Sequence, residues 1–126
     1  MRANAVELTA EAAWFLADSL GAGSFPWVLA VTPPFRDMAQ RAEFEADQAE
    51  RLRRLGVMTA DRTVDPFVAQ WIRTVCRPSQ WLELRFVAGR GAILRGIIAS
   101  NPAGTVVALR NAELLTFTAI DSEHPQ

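Results

Sequence analysis

Side chains with common catalytic or metal-binding chemistry are scarce in this chain of 126 residues. It contains one histidine, His124, one cysteine, Cys76, no tyrosine and no lysine. General bases, nucleophiles and metal ligands are most often drawn from these residue types. His124 lies in a polar C-terminal stretch without a second histidine nearby. Cys76 lies in the last turn of a predicted helix before Pro78, where a cysteine is most often a small buried hydrophobic residue. We therefore expect a protein that binds a partner, with no catalytic, cofactor or metal site.

One glycine-rich stretch, Gly89-Arg90-Gly91 followed by Gly96, superficially resembles a phosphate-binding loop. Its spacing is wrong for a dinucleotide fingerprint, and it leads into an alternating strand instead of the start of a helix. The stretch is more typical of a hairpin tip.

Composition limits the class of protein further. The chain is 50% hydrophobic with a net charge of −1, which suits one small domain, residues 1–126, and gives no electrostatic basis for nucleic-acid binding. No apolar run approaches the ~20 residues of a membrane span, and no signal segment is evident, so we expect a cytoplasmic address without membrane insertion.

Four short alternating segments separated by turn residues occupy the C-terminal third and predict an antiparallel meander. They are residues 81–87, 92–99, 105–110 and 113–120. A five-residue loop, Ala88 to Ala92, pairs Val87 with Ile93. Because side chains alternate between faces, this register puts the following residues on one face, which we expect to be the buried one: Leu82, Leu84, Phe86, Leu94 and Ile98.

The preceding residues predict about three helices and two further strands. Val6 to Thr9 is a strand, Thr9 then caps a helix closed by Gly21, and Trp27 to Thr32 is a buried strand between prolines. Arg36 to Leu55 is a charged helix with a thin apolar stripe of Met38, Ala42, Ala49, Leu52 and Leu55, and with the ion pairs Asp37–Arg41, Asp47–Arg51 and Glu50–Arg54. Its polar face is typical of a solvated helix, with a docking helix as the alternative.

The third helix carries the clearest signals in the sequence. Asp65 is its N-cap, Pro66 occupies the first turn and Pro78 follows its end, while Val68, Trp71, Ile72 and Val75 form its apolar stripe. We therefore expect an α+β fold in which an antiparallel sheet is flanked by helices and Trp71 belongs to the core.

An ordered series of segments resembles one known family. The segments are Val6-Glu7-Leu8-Thr9, Phe25-Pro26-Trp27-Val28-Leu29, Val64-Asp65-Pro66, Pro78-Ser79-Gln80-Trp81-Leu82-Glu83-Leu84-Arg85, Val106-Val107-Ala108-Leu109-Arg110 and Thr116-Phe117-Thr118. Together they are similar to the N-terminal half of EspG proteins, the ESX (type VII) secretion-associated cytosolic chaperones of mycobacteria and relatives. The resemblance runs from about Asn4 to Asp121.

The resemblance implies half of a fold that has pseudo-twofold symmetry, together with a chaperone function. The partner implied is a PE–PPE heterodimer, whose PPE tip is bound and kept soluble for secretion, with no reaction catalysed. The residues that carry over are Ala88, Gly89, Arg90, Gly91 and Ala92, which occupy the position of a family loop implicated in PPE contact. A single half with an exposed sheet edge also leads us to expect a homodimer.

Two alternatives come from the residues alone. One is a small-molecule pocket beside the meander, which a discrete cavity with convergent polar groups would support. The other is an oligomeric structural module that associates through an open sheet edge.

Overall fold

A computed structural model describes residues 4–87, 89–91 and 93–120, and the fold is α+β as expected. The strands are β1 (Ala5–Thr9), β2 (Gln80–Val87), β3 (Ile93–Asn101), β4 (Gly104–Asn111) and β5 (Leu114–Ile120). The α-helices are α1 (Ala10–Leu20), α2 (Met38–Arg54) and α3 (Pro66–Cys76), and 3-10 turns occur at Trp27–Leu29 and Gly89–Gly91. His124 lies outside the described residues.

The five strands form one antiparallel sheet in the order β1-β5-β4-β3-β2. The meander is confirmed, and β1 extends it by pairing with β5 from Ala5 opposite Thr118 to Thr9 opposite Leu114. The predicted hairpin register is also confirmed, because Val87 lies opposite Ile93. The five-residue loop therefore determines which side chains share a face.

The prediction of which face is buried is wrong. The predicted core residues Leu82 and Phe86 are 59% and 53% exposed, whereas Ile97 and Phe117, on the opposite face, are fully buried. Helices α1 and α3 pack against a row of side chains that lie across three central strands, namely Ile97, Ala99, Val106, Ala108, Leu115 and Phe117. Small residues in this row let the helices approach closely, so helix packing, not the hairpin, selects the covered face.

Helices α1 and α3 begin and end where the sequence indicates. The Thr9 hydroxyl accepts a hydrogen bond from the Ala12 amide at 3.0 Å, and Gly21 ends α1 in the left-handed conformation at φ 62°. The Asp65 carboxylate accepts from the amides of Phe67 and Val68, with Pro66 in the first turn. Caps of this kind satisfy backbone groups that a helix leaves unpaired at its ends.

Trp27 to Thr32 is not a strand. Trp27–Leu29 forms a single 3-10 turn in which the Trp27 side chain is 95% exposed and Val28 and Leu29 are buried. Ala30 follows in the left-handed region at φ 54°, which ends any extended conformation. The carbonyls of Leu29 and Ala30 accept hydrogen bonds from the Arg110 guanidinium instead of from a neighbouring strand. A long-range side-chain contact therefore overrides the local β propensity.

Helix α2 packs through a stripe that overlaps the predicted one at Ala49 and Leu52 only. Met38 and Leu55 are exposed, at 70% and 66%, whereas Phe44, Gln48 and Leu52 are half-buried or buried. The pairs Asp47–Arg51 and Glu50–Arg54 form as expected. Arg41 pairs instead with Asp18 of α1 and with Glu45, at 2.7 and 2.8 Å, and so links the two helices.

Candidate partner-binding site

The uncovered face of the sheet carries a contiguous set of apolar side chains, here called the outer patch. Its rows follow the strand register: Leu82 lies opposite Ile98, which lies opposite Val107, while Leu94 lies opposite Phe86. The patch consists of Leu82, Leu84, Phe86, Leu94, Ile98, Val107 and Leu109. All seven side chains are exposed or half-buried. An uncovered apolar face of this kind marks an interaction surface in a folded protein.

The outer patch is confined to one half of the face. Beyond β4 the same face continues with Thr116 and Thr118 of β5 and with Glu7 of β1. On β5 the two threonines are flanked by Leu114 and Ile120, which are 41% and 46% exposed, so the apolar outer patch gives way to a mixed surface beyond β4. The outer patch therefore extends from β4 to the β2 edge of the sheet.

Gly96 lies at the centre of the outer patch between Leu84 and Leu109. A Cβ atom at this position would clash with Leu109 Cδ2 and would approach the Ala108 carbonyl oxygen to 2.9 Å. The Leu109 side chain thus lies over the glycine and occupies the space that a larger residue would need. The patch is shaped by this close packing as well as by its composition.

The hairpin predicted to contact a partner extends from the same strands. Gly89–Gly91 forms a single 3-10 turn between β2 and β3, with Gly91 at φ 78°. Ala88 and Ala92 lie outside the described residues. The last cross-strand pairs before the turn are Phe86–Leu94 and Val87–Ile93. The predicted loop and the outer patch are therefore adjacent, and they form one candidate surface.

The apolar residues that form the outer patch are visible in the sequence, but we predicted that they belong to the core. Alternation of Leu82, Leu84 and Phe86 indicates one apolar face, and a single face is normally buried. The opposite face is also apolar on β3, β4 and β5, so the pattern allows the helices to cover either face. Only the position of α1 and α3 decides between them.

A row of three arginines crosses the helix-side face near the hairpin. Arg85, Arg95 and Arg110 lie directly opposite one another on β2, β3 and β4. Glu83 approaches Arg85 at 3.5 Å along the same strand. Arg110 is engaged by the carbonyls of Leu29, Ala30 and Ala112 at 2.8 to 2.9 Å, whereas no described side chain pairs with Arg95. Like charges in direct opposition are destabilising in a sheet.

Two exposed tryptophans stand beside the free edge of β2. Trp27 and Trp81, which are 95% and 59% exposed, line an open depression of about 280 Å³ together with Pro26, Cys76 and Pro78. Tryptophan is over-represented among residues that dominate binding energy at interfaces. The helix side of the β2 edge therefore carries exposed aromatic surface beside the charged residues Glu83 and Arg85.

The described residues do not form a reactive constellation. They contain no group of three or more histidine, cysteine, aspartate or glutamate side chains that could hold a metal ion. Burial raises the pKa of the Cys76 thiol to about 12, so the reactive thiolate is disfavoured at neutral pH. An open depression of about 480 Å³ beside α1 is lined by Trp14, Phe25, Asp18 and Arg77. Its carboxylate already pairs with Arg41.

No helix among the described residues is long and apolar enough to cross a membrane.

Comparison with known proteins places these features in context. The family model described as the EspG family matches residues 9–125. The chain is 60% identical over 124 residues to the ESX-3 secretion-associated protein EspG3 of Mycolicibacterium smegmatis, covering 98% of this chain and 42% of that protein. It is 48% identical over 137 residues to the ESX-3 secretion-associated protein EspG3 of Mycobacterium tuberculosis, covering 98% of this chain and 46% of that protein. It therefore spans less than half the length of these relatives.

A solved structure with the same fold is the Mycobacterium tuberculosis type VII secretion system chaperone EspG5 in complex with the PE25–PPE41 dimer. The two chains superpose with a TM-score of 0.66 at 14% identity, over 94% of this chain and 46% of that chain. Because the EspG model matches nearly the whole sequence and the fold agrees, this chain belongs to the EspG family.

Proposed function

We propose that the chain is a cytoplasmic chaperone or adaptor of type VII secretion, which binds the PPE tip of a PE–PPE heterodimer and keeps the pair soluble. It acts by covering apolar surface and not by catalysis. The support from known proteins is family membership and the PE25–PPE41 dimer bound to EspG5. The support from the structure is the outer patch.

The observation that carries the proposal is the exposure of apolar side chains on one half of a sheet face. A client that would aggregate through its own apolar tip loses exposed area when the tip lies on the outer patch, and each Å² removed from water contributes roughly 25 cal/mol. The polar side chains next to the patch on β5 and β1, Thr116, Thr118 and Glu7, limit how far the client extends. The turn Gly89–Gly91 lies at the end of the patch, and we propose that the hairpin loop contacts the client at its rim.

The test is co-expression of the chain with candidate PE–PPE pairs followed by co-purification. In one variant, Ile98→Thr and Val107→Thr replace two facing residues at the centre of the patch while keeping β-branched side chains that suit a strand. We expect this variant to capture less client without a large loss of melting temperature. The matched control is the variant Thr116→Ala with Thr118→Ala, on β5 beside the patch. We expect this control to capture the client as the unmodified chain does.

Two results would contradict the proposal. One is failure of the unmodified chain to retain any PE–PPE pair against which it is tested. The other is equal loss of capture in the patch variant and in the control.

The same proposal includes a homodimer of this chain. The support is the β2 edge, which lacks a strand partner among the described residues. At the opposite edge of the sheet, Leu55 and Val57 line a depression beside Ala5 and Val6 of β1, so other residues lie next to that edge. A closed twofold dimer covers one edge per subunit and leaves no edge to continue the assembly.

A further inference from the structure

We infer that β2 pairs antiparallel with β2 of a second copy in one register, with Leu84 opposite Leu84 of the partner subunit. This inference rests on the proposed homodimer and names its interface. It joins two five-stranded sheets into one sheet of ten strands, with a twofold axis perpendicular to the sheet.

The free edge of β2 lacks most of the features that normally prevent edge pairing, and its charged residues Glu83 and Arg85 are the exception. Natural edges are blunted by proline, by lysine, by bulges or by short length. Gln80–Val87 is eight residues long, contains no proline or lysine, and pairs with β3 residue by residue without a bulge. Four of its apolar side chains are more than half exposed: Trp81, Leu82, Phe86 and Val87.

The order of residues along β2 is self-complementary about Leu84. In an antiparallel pair centred on this residue, Glu83 lies opposite Arg85 of the partner subunit, and Arg85 lies opposite Glu83 of the partner subunit. On the outer face Leu82 meets the partner's Phe86. On the helix side Trp81 meets the partner's Val87. Opposite-charge and apolar cross-strand pairs both stabilise an antiparallel sheet.

Neighbouring registers lose this complementarity. A twofold axis at Glu83 places two glutamates opposite each other, and an axis at Arg85 places two arginines opposite each other. Like charges directly opposite are destabilising. The register centred on Leu84 is also the one that pairs every residue from Trp81 to Val87.

The proposed pairing has a consequence for the outer patch. The twofold axis is perpendicular to the sheet, so the helices of both subunits lie on the same side and both outer patches lie on the other. Leu82, Leu84 and Phe86 then stand at the centre of one continuous apolar surface. The dimer leaves this surface open for a client while it covers the β2 edges.

Charge reversal tests the register by sedimentation of the full chain. Glu83→Arg and Arg85→Glu each replace two opposite-charge pairs at the interface by two like-charge pairs. We expect each to weaken self-association about tenfold. The double variant Glu83→Arg with Arg85→Glu restores both pairs with inverted polarity and dimerises like the unmodified chain.

Mixing the two single variants gives a stricter test. Glu83→Arg carries two arginines on β2 and Arg85→Glu carries two glutamates, so an equimolar mixture forms a heterodimer in which every charge pair is opposite. The matched control is Glu7→Arg, an exposed charge reversal on the β1 edge, which leaves self-association unchanged. Melting curves of each variant verify that the fold is retained.

Cysteine cross-linking locates the axis. Leu84→Cys should form a disulfide with itself between subunits under mild oxidation, because residues directly opposite have Cβ atoms about 4.5 to 5.5 Å apart. Leu82→Cys should cross-link with Phe86→Cys in a mixture and not with itself. The unmodified chain, with half-buried Cys76, serves as the control.

The outcomes separate the dimer from its register. A monomeric mass of the unmodified chain at high micromolar concentration overturns both. A dimer that is insensitive to Glu83→Arg and Arg85→Glu, and in which Leu84→Cys does not cross-link, overturns the register and leaves the homodimer standing. Client capture by a monomer supports the chaperone function without the dimer.

Discussion

Arg110 is a single residue that stabilises the fold through long-range hydrogen bonds. Its neighbour Arg95 has no such contacts with the described residues and serves as the comparison. The Arg110 guanidinium is largely buried and donates to the carbonyls of Leu29, Ala30 and Ala112. Arg110→Met keeps the apolar stem but leaves these acceptors without their donor. We expect a loss of about 1 to 3 kcal/mol in the free energy of unfolding, measured by urea denaturation.

Arg95→Met is the matched control on the adjacent strand. Arg95 lies between Arg85 and Arg110 and has no described side-chain partner, so its removal relieves like-charge repulsion. We expect stability to be unchanged or slightly higher. Equal destabilisation by the two variants would show that the carbonyl contacts contribute nothing specific.

Arg90 is part of the partner contact that we propose. An arginine at a glycine-flanked hairpin turn is not needed for folding, whereas an arginine desolvated in an interface contributes ~2 kcal/mol or more to binding. For Arg90→Ala we expect an unchanged melting temperature and weaker affinity for the PE–PPE client, measured by titration calorimetry. A lowered melting temperature with unchanged affinity would assign the residue a structural role.

At the scale of elements, helix α2 derives part of its stability from surface ion pairs. Hydrogen bonds from Arg53 and Arg54 lower the pKa of Glu50 from 4.5 to about 2. Because the pKa is depressed in the folded state, the stabilisation is complete above pH 4.5 and is lost as the pH falls toward about 2. The Glu50 side chain is 43% exposed, so the effect is screened by salt and small.

The corresponding prediction compares Glu50→Gln with the unmodified chain. We expect the variant to melt about 1 to 2 °C lower at neutral pH, and the difference to shrink as the pH is lowered through about 3. Glu43→Gln is the control, since no ion pair is formed by Glu43 within the described part of α2. A difference that is independent of pH would show that the ion pairs do not stabilise the helix.

At the scale of the whole molecule, the sheet is apolar on both faces and only one is covered. Helices α1 and α3 bury the face of Ile97 and Phe117, and the outer patch is left to contact other molecules. The proposed client contact uses the outer patch, and the proposed dimer uses the β2 edge. The two contacts are therefore compatible in one assembly, and each can be removed by substitution without the other.

Elements whose signals are local could be predicted from the sequence. Thr9, Gly21, Asp65 and Pro66 define helix ends because capping depends on residues within one turn. The hairpin register follows from loop length, since the pairing of Val87 with Ile93 leaves five residues for the connection. The α+β class follows from the order of these elements, and the segments that resemble EspG proteins indicated the family that the matching model confirms.

Tertiary structure alone decided the rest, because the deciding contacts join distant parts of the chain. Alternation along β2 identifies the two faces of the sheet but not the face that the helices cover. Because each face carries apolar residues, the packing of α1 and α3 determines which one is buried. The carbonyls of Leu29 and Ala30 accept from Arg110, about 80 residues away, so Trp27–Leu29 became a turn instead of a strand. Likewise Arg41 bonds Asp18 across two helices, a pairing that no spacing within α2 predicts.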